Sequence, residues 1–164
     1  MGKRGFSLIE LLIVVTIILI IAAIAIPNLM RSKMAANEAS CVATLRVLNN
    51  SEVTYAMTYN SGFTGGLNVL GPPPSSQQPT YLSADLVDGN LAGTEALGTN
   101  LGFVKSGYVF RYNPTGAFPL ISYYSFNSDP QVRGSSGQRS FFTDDPLVIR
   151  ANATAQASVS DNPI

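Results

Sequence analysis

One carboxylate stands where a carboxylate has the least reason to be. Glu10 lies inside the stretch from Phe6 to Ile26, which carries no other charge. An unpaired carboxylate deep in a hydrocarbon layer costs roughly 2.5 to 3.5 kcal/mol on insertion scales. Glu10 follows Phe6 by one helical turn, about 6 Å along a helix axis, so a cation at the start of the helix can reach it. Lys3 and Arg4, with the carboxylate snorkelling toward them at the interface, are the plainest such partners.

Few other residues offer chemistry. The chain has no histidine and one cysteine, Cys41, which removes disulfides within the chain, Cys/His zinc sites and every triad that needs an imidazole. Asp129, Asp144 and Asp145 fall in stretches that read as turns, where aspartate is favoured because its side chain caps the turn. Arg133 and Arg139, beside Gly134 and Gly137, are the residues a DNA-binding surface would use. The body after Gly5 is slightly acidic, however, so no nucleic-acid partner is expected.

These residues need elements to hold them. The 164-residue chain is 46% hydrophobic and only 12% charged, so part of it has a solvent other than water. Phe6 to Ile26, at about 1.5 Å per residue, spans roughly 30 Å and can cross a bilayer core. Basic residues flank it on both sides, Lys3 and Arg4 before and Arg31 and Lys33 after, so a positive-inside count does not orient it. An ordinary secretory signal, cut after Ala23-Ile24-Ala25, is the competing reading. The long apolar run, Glu10 within it and the continuing helical spacing beyond it speak against that. Pro27 interrupts a helical pattern and removes the hydrogen bond to the carbonyl of Ala23, so a kink or local loss of helix is expected there.

From Asn28 to about Tyr59 the residues Met34, Cys41, Leu45, Leu48, Tyr55 and Tyr59 form one apolar stripe of a helix. Ala35, Ala39, Val42 and Val53 form a second, while Lys33, Ser40, Thr44 and Ser51 read as the polar side. Cys41 is then a small buried hydrophobe. Glu52 falls on the first stripe and does not fit it, marking either a subunit contact with an arginine or the end of the buried face. Gly62, Gly65, Gly66, Gly71 and Pro72 to Pro74 make a surface loop. A short helix is predicted around Ser83 to Ala92, with Ser83 as N-cap. Strands follow at Tyr108 to Tyr112, Leu120 to Asn127, Gln138 to Thr143 and Leu147 to Arg150. Between them Asn113-Pro114-Thr115-Gly116, Ser128-Asp129-Pro130 and Asp144-Asp145-Pro146 read as turns. The aromatic residues of these strands are expected to pack a core rather than bind a ligand. The fold class is α+β, with the C-terminal half of a long helix against an antiparallel sheet of about four strands.

Gly5-Phe6-Ser7-Leu8-Ile9-Glu10-Leu11-Leu12-Ile13-Val14-Val15, with the basic leader before it and Pro27 after it, resembles the cleavage and methylation motif of type IV prepilins and pseudopilins. The resemblance runs without a gap from Lys3 to Pro27. It implies a prepilin peptidase that cuts after Gly5 on the cytoplasmic side and methylates the new amine of Phe6. It also implies that Glu10 pairs with an N-terminal amine during assembly; its own amine and that of a neighbour are both within reach. Gly5 suits an extended chain in a protease cleft. Removing Lys3 and Arg4 lowers the barrier to drawing the helix out of the membrane.

The organisation expected is a leader at 1–5, a transmembrane and assembly helix at 6–27, its amphipathic continuation at 28–60 and a pilin head at 61–164. The function expected is that of a major structural subunit of a type IV pilus-like filament, not an enzyme. Its partners would be copies of itself, the prepilin peptidase, an assembly platform and the inner membrane. It would be a single-pass inner-membrane protein with its head outside the cytoplasm, then part of a pilus at the cell surface. The alternative is the major pseudopilin of a type II secretion system, in a periplasmic pseudopilus. A membrane-anchored binding protein and a DNA-uptake pilin fit less well. No cofactor is expected; calcium, held by family pseudopilins in a C-terminal loop, would fall to Asp129, Asp144 and Asp145. The C-terminal cysteine pair of many pilins is missing. Asn49 and Asn152 open N-x-[ST] patterns that a glycosylating enzyme would read.

Overall fold

The structure, a computed structural model, describes residues 6–75, 77–93, 101–117 and 120–164. Gly5, Lys3 and Arg4 lie outside the described residues. The chain divides into two compact units, Met1–Lys33 and Met34–Ile164. One helix, α1 (Leu8–Tyr59), supplies the described helical part of the first and the opening of the second.

In the first unit the apolar side chains are exposed along the helix. Among the described residues, α1 is the one helix long and apolar enough to cross a membrane, with a window of mean hydropathy 3.2. Thr16, its polar side chain within the run, donates its hydroxyl to the carbonyl of Leu12 at 2.8 Å, which spares that group an unsatisfied position in hydrocarbon. Pro27 lies inside the helix, so the local loss of helix expected there is absent. Proline forfeits one backbone hydrogen bond, and those of the neighbouring turns hold the helix on either side.

In the second unit α1 packs on a five-stranded antiparallel sheet in the order β1-β2-β3-β4-β5. The strands are β1 (Gly102–Lys105), β2 (Tyr108–Ala117), β3 (Leu120–Pro130), β4 (Ser140–Asp144) and β5 (Arg150–Asn152). Cys41, Leu45, Leu48 and Tyr55 of α1 meet Tyr108, Phe110 and Tyr112 of β2, Tyr124 and Phe126 of β3 and Phe141 of β4 in one core. The sheet aromatics are packing residues, as expected. On β2 they alternate with half-buried Val109 and exposed Arg111, the period of a strand with one face covered. Leu45→Ala, which empties a fully buried position at the centre of this core, is expected to lower head stability by about 2 to 5 kcal/mol in denaturant titration.

Several boundaries differ from the sequence reading. The first strand, β1, is an addition: Ser106 and Gly107, at φ 49° and 73°, form a two-residue turn of the kind that joins twisted hairpin strands. β2 does not stop at Asn113-Pro114. β1 pairs only with Tyr108 to Arg111, so Pro114 sits where the outer side of β2 no longer needs a donor. The register shifts between Thr115 and Gly116. Ser128-Asp129-Pro130 is likewise the end of β3 rather than a turn. The stretch Leu147 to Arg150 becomes strand only at Arg150, because Leu147 takes φ 65° in closing a turn on Asp144.

The helix predicted around Ser83 to Ala92 does not form. Its backbone donors are taken by another segment, with Ala84, Asp85 and Leu86 donating to the carbonyls of Val69, Gly71 and Leu70. Asp85 has φ 54°, which no helix accepts, and Asp88 Oδ1 receives the N–H groups of Asn90 and Leu91. The glycine- and proline-rich stretch is not wholly surface loop. It holds a turn of helix, α2 (Leu67–Leu70), whose two leucines are fully buried.

Candidate functional site

At the start of α1 the chain folds back on itself through a side chain. Glu10 Oε2 accepts the backbone N–H of Ser7 at 2.8 Å, and the carbonyl of Ser7 accepts the N–H of Leu11 at 3.2 Å. Ser7 is thus the cap position and Glu10 the third residue of the helix, half of a capping box. The signature Ser7-x-x-Glu10 preceding an apolar run was readable in the sequence as a helix start. It shows that Glu10 has a local role on the backbone, beside Phe6, whose side chain is 77% exposed. A carboxylate in the first turn also faces the positive end of the helix. Chemically, the arrangement places an acceptor one residue away from the nitrogen of Phe6.

The other sequence candidates are spread over the head and serve it. Asp129 Oδ2 is held by Arg111 at 2.9 Å and by Gln156 at 3.1 Å. Asp144 is buried and accepts the hydroxyl of Tyr123 at 3.3 Å, whereas Asp145 is exposed. Among the described residues no three His, Cys, Asp or Glu side chains come together as a metal site would need. The three calcium candidates therefore do not form one donor set.

Arg139 is engaged by Glu38 at 2.8 Å. Glu38 also takes the backbone N–H groups of Gln138 and Arg139. Burial raises the Glu38 carboxyl, but these donors and the guanidinium outweigh it and hold the carboxyl below its ordinary value. Arg133 ties the carbonyls of Gln138, Ala153 and Ala155 and the hydroxyl of Ser140. Both arginines are spent on tying chain segments together, so they do not make a basic stripe. The Asn49 amide donates to Thr143 and accepts from Tyr124 inside the core. The Asn152 amide donates to Asp161 while its oxygen caps Thr154 and Ala155. Asn49 is thus buried and Asn152 half-buried, with both amides engaged inside the head.

Cys41 is buried, and burial pushes its thiol up to about 12, so it is an inert core residue. Two polar residues of α1 were misplaced by helical periodicity, and a third, Glu52, was placed on the buried stripe for the wrong reason. Thr44 and Ser51 are buried, their hydroxyls donating to Ser40 and Val47, with Ser51 also reaching the carbonyl of Leu86. Glu52 is neither at a ragged end nor aimed at an arginine. It is fully buried, and its carboxylate accepts the backbone N–H and the hydroxyl of Thr64 at 3.0 and 2.6 Å.

The profile of the prokaryotic N-terminal methylation motif matches residues 1–26. The chain is similar to the type IV wide pilus major component PilA4 of Thermus thermophilus, 43% identical over 60 residues. That similarity covers 37% of this chain and 46% of the relative, so the chain spans less than half the length of the protein it matches. No solved structure matches. With this motif at its N-terminus and an α+β, pilin-like arrangement of helix and sheet, the chain resembles the type IV prepilins.

Proposed function

We propose that the chain is a major structural subunit of a type IV pilus-like filament. The observation that carries this is the methylation motif at 1–26, joined to a helix whose third residue holds a carboxylate at its own N-terminus. In this reading 1–5 is a leader removed by a prepilin peptidase after Gly5. Phe6 becomes the methylated N-terminal residue, and 6–27 serves first as membrane anchor and then as the assembly spine. The part at 28–60 joins the spine to the head at 61–164. Copies of the chain polymerise from the inner membrane on an assembly platform. The subunit performs no catalysis; its named likeness is a component of a pilus.

The physical logic lies in what cleavage changes. Before it, Ser7 N–H is a neutral donor to Glu10. After it, the nitrogen of Phe6 is a cation next to that donor, and an ion pair across a low-dielectric layer is worth far more than a neutral hydrogen bond. The pair forms with the chain's own amine or with that of an incoming copy.

Mass spectrometry of the chain recovered from membranes of its own host tests the reading. The expected N-terminus is Phe6 with one methyl on its amine. A chain that begins at Ile26 is a cleaved secretory product and overturns it. Surface fibres that vanish on deletion of the gene distinguish the pilus from a periplasmic pseudopilus.

A further inference from the structure

A carboxyl group with no exposed surface needs a reason, and the site of Glu52 supplies an unusual one. Its neighbours form a closed chain of polar groups from three elements. Glu52 comes from α1, Thr64 from the segment between α1 and α2, and Tyr112 from β2. Thr64 N–H donates to Glu52 Oε2 at 3.0 Å, and Thr64 Oγ1 lies 2.6 Å from Glu52 Oε1 and 3.3 Å from the Tyr112 hydroxyl. The Tyr112 hydroxyl in turn donates to the carbonyl of Thr64 at 2.7 Å. Thr64 and Tyr112 are each 1% exposed.

The Thr64 hydroxyl has a single proton and two acceptors within reach. With Glu52 ionised, that proton points to Oε1, and the Tyr112 oxygen receives nothing from Thr64. With Glu52 protonated by solvent, the carboxyl donates to Thr64 Oγ1, which frees the Thr64 proton for Tyr112. The ring of Thr64, Tyr112 and the Thr64 carbonyl then closes with every hydroxyl both donating and accepting. We propose that Glu52, Thr64 and Tyr112 form a proton-ordered clasp, in which the protonation of Glu52 sets the direction of the hydroxyls and with it the grip on the segment 61–66.

The surroundings favour the closed, neutral order. The titratable groups that face Glu52 are phenols: Tyr55 from its own helix, Tyr112 from β2 and Tyr124 from β3. Burial raises all three, so they stay neutral phenols rather than becoming phenolates. Besides Glu52, the charged groups that act on Tyr124 are Asp145 and Asp144, acids as well. Burial pushes the Glu52 carboxyl up from 4.5 to about 7, against the hydrogen bonds of Thr64 and Tyr112 that pull it down.

What the clasp holds is a wall. Phe63 and Gly65, the residues on either side of Thr64, line a small apolar cavity of about 100 Å³ with Tyr55, Val69, Tyr81 and Ile121. Ionisation of Glu52 gives up the bond from Thr64 to Tyr112 and leaves this wall held by a carboxylate that must keep its charge in the core. The proton links the fit of the segment to external pH.

The sign follows from linkage. A carboxyl raised in the folded state contributes stability that is full below about 4.5 and is lost as pH rises through about 7. The test is amide hydrogen exchange of Thr64 in the full mature chain in detergent micelles, corrected for the intrinsic pH dependence of exchange. Opening is expected to be on the order of a hundredfold more frequent at pH 8 than at pH 4.5, and flat across that range in Glu52→Gln. An equal pH dependence in Glu52→Gln, or a flat wild type, overturns the proposal. If Glu52→Gln fails to fold, carbon-13 titration of the Glu52 carboxyl in the wild type decides. A midpoint near 7 supports the clasp and one near 4.5 ends it.

Discussion

Glu10→Leu is expected to leave the chain in the membrane and abolish filaments. Leucine removes the one charge of the apolar run, so insertion becomes easier by up to about 3 kcal/mol. What is lost is the acceptor at the start of α1, which reaches back to Ser7 at 2.8 Å. If assembly depends on an amine meeting this carboxylate in hydrocarbon, each subunit contact leaves a cation unpaired. Breaking one partner of a buried pair costs roughly 3 to 5 kcal/mol, or more than a hundredfold in association per contact. Membrane fractionation and electron microscopy of sheared cells read the two effects separately. Normal fibres with Glu10→Leu would refute the assembly role. Glu10→Asp keeps the charge with a shorter reach and is expected to assemble poorly rather than not at all.

Gly62→Ala is expected to destabilise the head strongly for the addition of a single methyl group. Gly62 has φ +77°, and a Cβ there would press on the backbone oxygen of Ile121. That oxygen already accepts the N–H of Phe63 at 2.9 Å, so it has no freedom to retreat. Left-handed strain of about 1 to 2 kcal/mol adds to a forced backbone shift of about 1 to 3 kcal/mol. A loss of roughly 3 kcal/mol follows. Gly65→Ala is the control, because its added Cβ would meet nothing within 4 Å. Thermal unfolding of the two variants in the same detergent checks the difference; equal midpoints would show that Gly62 is not held by Ile121.

The anchor and the buried stripe of α1 were legible because each is written in the spacing of apolar residues. Cys41, Leu45, Leu48 and Tyr55 are all buried, with no knowledge of the sheet required to place them. The errors share a different cause. Thr44 and Ser51 were assigned to water because they are polar, and Glu52, placed on the buried stripe, lacked a visible partner, because a helical wheel shows nothing of the cover that distant segments supply. Here that cover comes from segments 12 to 35 residues away in sequence for Glu52 and Ser51, which no local pattern announces. The Ser83 to Ala92 segment failed as a helix for the same reason, its donors being claimed by Val69, Leu70 and Gly71. The capping role of Glu10 was local and could have been read from Ser7 three residues before it. Interest in its charge hid its simpler use.

Of the three charged residues between Met34 and Tyr59, Glu38 and Glu52 turn inward and only Arg46 remains exposed. The side of this helix left bare by the sheet therefore shows Ala35, Ala36, Ala39 and Ala43 with amides and hydroxyls from Asn50, Thr54 and Thr58. Its charges gather at one place, where Arg46 and the Arg139–Glu38 pair border Ala35, Ala39 and Ala43. Away from that patch, drying the alanine face costs less than drying an ordinary charged helix exterior, and salt acts chiefly on the patch itself.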